Sequence, residues 1–208
     1  PEANYTFVNG LRSIMMQDPD MILIGEIRDK ETAEIAIQAA LTGHLVFSTV
    51  HANEAAGAIP RLVDLGVKPT SIGPALNLII AQRLVKRLCE KCKVKDKIDS
   101  ALESKLEKFI KNLPERVDKN EHKEIEIYKP KGCSYCGNTG FKGRVGIYEL
   151  LRISKEIEGL MMKGAGEIEI HEFALRQGMV TMQQDGILKA ISGLTTIKEV
   201  EKLTGPII

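Results

Sequence analysis

Two polar side chains near the start of the sequence come directly after apolar runs. Glu26 follows the run Met21–Ile24 and a glycine, and His51 follows a second run that starts at Leu45. In a parallel sheet the carboxyl ends of neighbouring strands share one edge, and α/β proteins bind their ligands there. At such an edge a carboxylate can orient a water molecule for attack on a phosphate. An imidazole, with an ordinary pKa of about 6.5, can respond to a nearby anion.

The acidic residue also has a plainer interpretation. Glu26 can form an ordinary ion pair with Arg28 or Lys30 on a surface loop. The presence of Asp20, Arg28 and Asp29 near Glu26 in the sequence favours a ligand site instead. We therefore predict that Glu26 is a catalytic carboxylate.

Two histidines flank the second apolar run. A single histidine on a strand is usually structural. Strict alternation puts residues seven positions apart on opposite faces, and the length of the run puts His44 and His51 at opposite ends. We therefore predict that His51 contacts the phosphate and that His44 has an orienting or structural role.

The four cysteines of the chain form two Cys-x-x-Cys pairs. Each pair bends the backbone so that two thiolates point at one centre, and two pairs are typical of a structural, tetrahedral Zn²⁺ site. Residues 93 to 132 separate the pairs, but doubling a loop costs only about 0.6 kcal/mol of closure entropy. Structural zinc contributes on the order of 10 kcal/mol. Two disulfides are the alternative. The predicted ligands are Cys89, Cys92, Cys133 and Cys136.

A basic cluster lies just before and within the first cysteine pair, at a spacing typical of a helix. We expect it to form a solvated helix face, from which Arg83 can reach a phosphate or a neighbouring subunit. Its members are Arg83, Lys86, Arg87 and Lys91.

Composition excludes several classes of protein. The formal net charge is only +1 in 208 residues, so nucleic acid is a poor candidate partner. The apolar runs are shorter than the roughly 20 residues that span a bilayer, which predicts no direct membrane insertion. The charged, leaderless character of the sequence predicts a cytoplasmic, reducing compartment.

The first part of the chain is predicted to alternate helices and strands. We expect a helix from Thr6 to about Gln17, a strand over 21–24 with both faces covered by helices, a helix over 30–42 and a strand over 45–50. The last three form a parallel strand, helix, strand unit. Two more helices are predicted, at 54–65 and at about 70–88.

The rest of the chain changes character twice. The charged segment 93–123 carries a helical pattern, 124–128 alternates as a strand, 132–146 is rich in glycine, and 144–150 again alternates. From Ser154 onward the pattern is helical, with a capping box at Thr196 for the last helix. We predict three domains, at 1–88, 89–150 and 151–208.

These residues resemble a known family. The segments Gln17–Asp29 and Thr42–Asn53 closely resemble the Walker B and histidine boxes of the type II secretion and type IV pilus assembly ATPases. The paired cysteines extend the resemblance, as do Ala81–Leu84 and Gly140–Glu149. Met16 stands where the family usually carries an arginine.

The resemblance implies an α/β fold, the C-terminal portion of a RecA-like P-loop NTPase domain, with a tetracysteine zinc-binding insert and a C-terminal helical subdomain. It implies ATP and Mg²⁺ as cofactors of the full-length protein, beside structural Zn²⁺. Glu26 becomes the Walker B carboxylate, and His51 and His44 become the histidine-box pair. We further assign nucleotide binding to Asp20, Arg28, His44 and Arg83.

The resemblance also implies partners. It predicts a homo-hexamer that hydrolyses ATP to drive secretion or pilus assembly through an inner-membrane platform protein. The motor would be cytoplasmic and peripheral at the inner membrane. The sequence contains no Gly-x-x-x-x-Gly-Lys-Ser/Thr loop. We expect that loop, the Asp box and the arginine fingers upstream, and we expect this fragment alone to be inactive.

Two other functions compete with this prediction. The chain can act chiefly as a zinc-stabilised docking module that binds an inner-membrane platform protein, which the insert and the helical tail favour. A zinc-ribbon nucleic-acid binder is the weakest alternative, because the charge is nearly balanced.

Overall fold

A parallel pair of strands lies at the centre of the first part of the fold. In the computed structural model, which describes residues 6–122 and 125–207, β1 (Met21–Ile24) pairs with β2 (Leu45–Ser48). Helix α2 (Lys30–Leu41) connects them. The predicted strand, helix, strand unit is confirmed.

Only one face of this strand pair is covered among the described residues. Ile22 and Ile24 of β1 are buried, whereas Met21 and Leu23 are exposed, Leu23 by 79%. Leu23 lies opposite Phe47, which is also exposed. The prediction that both faces are covered is therefore wrong for this part of the chain, and the strand shows the alternation of a half-buried sheet.

Further helices pack against α2 and against one another. Thr6 caps α1 (Phe7–Met15), because its side chain accepts a hydrogen bond from the backbone N–H of Asn9 at 3.2 Å. Both α1 and α4 (Pro69–Ala75) contact α2, and α4 also contacts α6 (Lys155–Met162).

The two helices predicted after β2 are partly wrong. The first is shorter than predicted, because α3 spans Ala58–Asp64. The second ends at Ala75, and the chain then forms a long strand, β3 (Leu78–Leu88). The predicted helical basic cluster therefore lies on a strand and on the turn after it. The reason is pairing with a strand far along the chain, which a local pattern cannot reveal.

That distant partner is β6 (Phe141–Arg152). The backbone N–H of Ile153 donates to the carbonyl of Asn77 at 3.0 Å, and that of Cys89 donates to Gly140 at 3.0 Å. Because high residue numbers on one strand meet low numbers on the other, the strands run antiparallel. The strand predicted over 144–150 is confirmed and is longer than predicted.

The segment between the cysteine pairs folds on its own local elements. Helix α5 (Ser100–Lys111) begins at its cap Asp99, and β4 (Val94–Lys95) pairs antiparallel with β5 (Tyr128–Lys129). The predicted strand over 124–128 is reduced to β5, and Glu124 lies outside the described residues.

The chain ends in helices, as predicted. They are α6, α7 (Glu167–Arg176), α8 (Met182–Ile191) and α9 (Ile197–Thr204). Thr196 caps α9 by accepting from the N–H of Glu199 at 3.3 Å. One core cluster joins α8 and α9 to α5, and it contains Leu106, Ile187, Ile191, Val200 and Ile207.

Contacts divide the chain into two compact units. The first contains residues up to Ile79 together with Leu151–Ala174, and the second contains Ile80–Leu150 and Leu175–Ile208. The C-terminal segment is thus shared between both units. The predicted division into three domains, at 1–88, 89–150 and 151–208, stays a prediction.

The helices of residues 6–122 and 125–207 are short. None of them combines the length and the apolar character that crossing a membrane requires.

A glycine contact between the last two helices offers a test of the second unit. A Cβ at the buried Gly186 would lie 2.6 Å from Val200 Cγ1. We expect Gly186→Ala to lower the free energy of unfolding by about 1–2 kcal/mol, since overpacking costs about 1–3 kcal/mol and better helix propensity returns part of it. Urea unfolding followed by circular dichroism measures the change.

The matched control is Gly159→Ala on α6, where a new Cβ meets nothing within 4 Å. We expect this variant to be neutral or stabilised by up to about 1 kcal/mol. Equal changes in the free energy of unfolding at both positions would mean that the contact with Val200 does not cause the destabilisation by Gly186→Ala.

Candidate functional site

Backbone pairing continues beyond the last residues of β1 and β2. The N–H of Ile27 donates to the carbonyl of Thr49 at 2.9 Å, and the hydroxyl of Thr49 donates to the carbonyl of Gly25 at 2.8 Å. These two bonds hold the residues after each strand side by side. Glu26 and His51 are therefore positioned by the backbone at the carboxyl edge of the sheet.

The carboxylate and the imidazole meet at this edge. His51 Nε2 lies 3.1 Å from Glu26 Oε2, and Arg28 Nε lies 2.6 Å from the same oxygen. The plainer interpretation, an ion pair with Arg28, is thus present together with the contact to His51. Both contacts use Oε2, so among residues 6–122 and 125–207 no recorded contact occupies Oε1.

Electrostatics keep Glu26 ionised. The hydrogen bond from Arg28, followed by that from His51, holds the pKa of the Glu26 carboxyl below its usual range. A carboxylate in this state can accept a hydrogen bond from water at neutral pH.

A cavity opens beside Glu26. Its volume is about 510 Å³, within the usual range for small-molecule sites. Asp29 lies on its wall and caps α2 by accepting from the N–H of Thr32 at 2.9 Å. The lining residues are Thr6, Val8, Gly25, Glu26, Arg28, Asp29, Glu31 and Thr32.

The other residues assigned to nucleotide binding lie elsewhere. Asp20 precedes β1 and His44 precedes β2, so both lie at the amino ends of the strands, opposite to Glu26. The His44 ring contacts the Ala39 carbonyl through Nδ1 at 3.1 Å, as expected for an orienting or structural role. Arg83 lies on β3 in the second unit. Their nucleotide-binding roles stay predictions.

The four cysteines come together in the second unit. The Sγ atoms of Cys89 and Cys133 are 3.9 Å apart, and those of Cys92 and Cys136 are 3.8 Å apart. All four sulfurs lie within 4.8 Å of one another. Four thiolates about 2.3 Å from one zinc ion would be about 3.8 Å apart, whereas disulfide sulfurs are about 2.05 Å apart. The cluster fits zinc and contains no disulfide.

Backbone donors surround one of these sulfurs. The N–H groups of Cys133 and Gly140 each lie 3.2 Å from Cys136 Sγ. Burial alone would raise the pKa of Cys136, but these donors and the neighbouring thiols bring the pKa to about 6. At Cys92, burial raises the pKa to about 12. Thiolate ligands of a metal are usually fixed by such outer hydrogen bonds.

Gly140 is required by the geometry of this cluster. Its φ is +76°, a left-handed conformation that favours glycine, and a Cβ there would lie 2.3 Å from Pro130 Cβ. The same residue links β3 to β6, because its carbonyl accepts from Cys89.

A polar cluster in the first unit was not predicted from the sequence. In this cluster His171 Nε2 lies 3.7 Å from Glu54 Oε2. Burial, followed by the hydrogen bond and charge of Glu54, raises the pKa of the Glu167 carboxyl. The i, i+4 spacing of Glu167 and His171 on α7 was the only signal available, and it gave no hint of Glu54.

The carboxyl edge of a parallel sheet, where this cavity lies, is the place at which α/β proteins bind their ligands. Comparison with known sequences gives the family. The chain belongs to the type II/IV secretion system protein family, whose profile matches residues 1–202.

Curated relatives agree with this assignment. The chain is 46% identical over 200 residues to the type IV pilus assembly ATPase PilB of Thermus thermophilus, covering 96% of this chain and 22% of the relative. It is 40% identical over 209 residues to type II secretion system protein E of Pectobacterium carotovorum, covering 98% and 38%. The chain thus spans well under half the length of these relatives.

Solved structures share the fold. The pilus retraction motor PilT with bound ADP matches with a TM-score of 0.62 at 26% identity, covering 97% of this chain and 44% of that one. The Legionella pneumophila ATPase DotB matches with a TM-score of 0.61 at 22% identity, covering 98% and 43%.

The missed acidic cluster predicts a pH-dependent stability. The folded state favours protonated Glu167, so its carboxylate destabilises the fold above the raised pKa. We expect Glu167→Gln to raise the unfolding temperature near neutral pH. The gain should shrink as the pH falls toward 4.5, which is the ordinary pKa of this carboxyl. Near that pH Glu167 of the native protein is itself protonated, so replacing it by an amide changes little. Thermal unfolding at both pH values measures the difference.

The control is Glu169→Gln, an exposed position in the first turn of the same helix. A gain for Glu167→Gln that is equal at both pH values, or equal in the control, would contradict a role for the charge.

Proposed function

We propose that this chain is the C-terminal portion of a RecA-like ATPase domain in a motor that drives type II secretion or type IV pilus assembly. The contact between Glu26 and His51 at the carboxyl edge of β1 and β2 carries this proposal. Family membership and the names of the relatives, which are secretion and pilus assembly ATPases, support it.

In the proposed site Glu26 acts on water. Its pKa is held low by Arg28, so the carboxylate is available to accept a hydrogen bond from an attacking water at Oε1. His51 donates to Oε2 and fixes the rotamer of Glu26, and its ring would respond to a terminal phosphate. ATP with Mg²⁺, bound in the full-length protein, would supply the phosphoryl group and neutralise its charge.

The proposal extends to assembly and location. The motor would be a homo-hexamer in the cytoplasm, peripheral at the inner membrane through a platform protein. The fragment alone would be inactive, because the sequence has no phosphate-binding loop.

We also propose that the cysteine cluster binds one structural Zn²⁺. The distances of 3.8–3.9 Å between sulfurs support it, and four thiolates leave no open position for catalysis. Cys89, Cys92, Cys133 and Cys136 would hold the ion, which would tie the end of β3 to the start of β6.

A second candidate function is a zinc-stabilised docking module for a platform protein. The observation that favours it is that the second unit is compact and has hydrophobic clusters of its own, one of which consists of the four cysteines. In this case the second unit alone would contact the partner, and nucleotide chemistry would be a property of the rest of the protein.

The catalytic role of Glu26 predicts a defined variant phenotype. In the full-length protein, with its upstream half present, Glu26→Gln should lower kcat for ATP hydrolysis by at least about a hundredfold. Nucleotide binding should persist, because the amide keeps the shape of the side chain. Steady-state phosphate release and fluorescent-nucleotide binding measure the two properties.

The control is Glu34→Gln on α2, a carboxylate paired with Lys30 outside the cavity. It removes one charge and should leave turnover unchanged. Unchanged turnover in Glu26→Gln would remove this residue from the assigned role.

The cysteine cluster predicts a metal content. The purified chain should contain about one zinc ion per chain by elemental mass spectrometry. Cys136→Ser should lose it and should expose the core of the second unit to proteolysis, because apo zinc sites unfold. Ser134→Ala, in the same turn, should retain the ion. Stoichiometric disulfides in the intact protein, or a metal-free chain with unchanged stability, would contradict the site.

A further inference from the structure

Positive charge is concentrated around the cysteine cluster. Residues 83–95 and 129–144 contain ten lysines and arginines and a single acid, Glu90, although the whole chain carries only +1. Although the net charge of the whole chain is close to zero, these two segments of the second unit are strongly basic. Apart from the predicted nucleotide-binding role of Arg83, the proposed ATPase chemistry does not use this charge.

Part of this charge is neutralised locally. Glu90 pairs with Arg87 at 3.1 Å and with Lys93 at 3.0 Å, and Asp96 pairs with Lys129 at 2.8 Å. These basic groups have structural partners and are poor candidates for binding anything else.

Three exposed lysines have aromatic partners instead. The ammonium groups of Lys91 and Lys142 lie 4.2 and 5.2 Å from the centre of the Tyr135 ring, and that of Lys86 lies 5.6 Å from the centre of the Phe141 ring. Within residues 6–122 and 125–207 none of the three has a carboxylate partner. We call Lys86, Lys91 and Lys142 the knuckle lysines, because they border the cysteine turns.

The rings hold these charges in place. A lysine on a free surface samples many rotamers, and ordering it costs conformational entropy. Contact with a ring offsets part of that cost by cation–π attraction and keeps the ammonium group partly exposed. Tyr135 is itself 50% exposed and contacts two lysines, so an anion and an apolar group can bind at the same place.

We propose that the knuckle lysines and Tyr135 form a docking surface for an acidic polypeptide segment of a partner protein. Charge complementarity selects an acidic occupant. Spaced carboxylates can reach Lys91 and Lys142, which both contact the Tyr135 ring, while the backbone of the segment lies across this ring.

A continuous polyanion fits this surface less well. A duplex carries one charge per about 1.7 Å, and an anionic bilayer is a dense plane of headgroups. Glu90 and Asp96 offset the charges of Arg87, Lys93 and Lys129, so the charge of the knuckle lysines lies at separate points instead of along a continuous row. A polypeptide can place its acids at these separate points.

Binding of an acidic segment would be separate from ATP hydrolysis, so either property can be absent without the other. The probe is a fluorescein-labelled oligoglutamate peptide, and the readout is anisotropy with the purified chain at low ionic strength. Lys91→Gln combined with Lys142→Gln should weaken binding about tenfold. The control combines Lys108→Gln with Lys111→Gln, two exposed lysines of α5 in the same unit, and should change it less than twofold.

Variants of Tyr135 distinguish the effect of ordering the lysines from the effect of their charge alone. Tyr135→Phe keeps a ring under both ammonium groups and should bind nearly as the native chain does. Tyr135→Ala should weaken binding several-fold with no change in net charge. Zinc content and circular dichroism establish that each variant is folded.

Three results would overturn the proposal. One is equal weakening by the two lysine pairs, which would mean nonspecific attraction. Another is no effect of the Lys91 and Lys142 changes. The third is tighter binding to phosphatidylglycerol vesicles or to single-stranded DNA than to the peptide, lost in the same variants, which would assign the surface to a membrane or a nucleic acid.

Discussion

The hydrogen bonds that join the loops after β1 and β2 are the constraint on which the candidate catalytic geometry depends. Ile27 and Thr49 pair through their backbones, and the Thr49 hydroxyl binds the Gly25 carbonyl. These contacts extend the parallel pairing past the regular strands. Without them Glu26 and His51 would lie on two independent loops, and the 3.1 Å contact between them would depend on side chains alone. Backbone pairing makes that contact a consequence of the sheet.

The second unit depends in a comparable way on the joint between β3 and β6. The cysteine turns lie where these strands end, and Gly140 contributes to both the strand ladder and the sulfur cluster through its carbonyl and its N–H. The insert that starts after Cys92 can therefore carry its own helix, because its two ends are brought together at the cluster. This explains why a spacing longer than that of usual zinc ribbons is compatible with one metal site.

The predictions from sequence succeeded where local pattern and tertiary structure agree. The unit from Met21 to Ser48 consists of two apolar runs separated by a helical segment that ends at Gly43, and these signals were sufficient to locate it. The half-buried alternation of β1 was not predicted. The cysteine quartet was equally accessible, because its spacing encodes its geometry. Prediction failed at Leu78–Leu88, which was predicted to be helical. The pairing of this segment with the distant β6 makes it a strand, and the local sequence does not reveal that partner. Prediction also missed the cluster of Glu54 and His171, whose partners are far apart in the chain.

The uncovered face of β1 and β2 has a consequence for handling the protein. Leu23 and Phe47 lie opposite each other and project from the sheet, with Met21 and Leu45 beside them. Contiguous apolar surface of this kind promotes self-association. Light scattering by a solution of this polypeptide should increase as the protein is concentrated. Leu23→Lys should suppress that increase while the secondary structure stays intact.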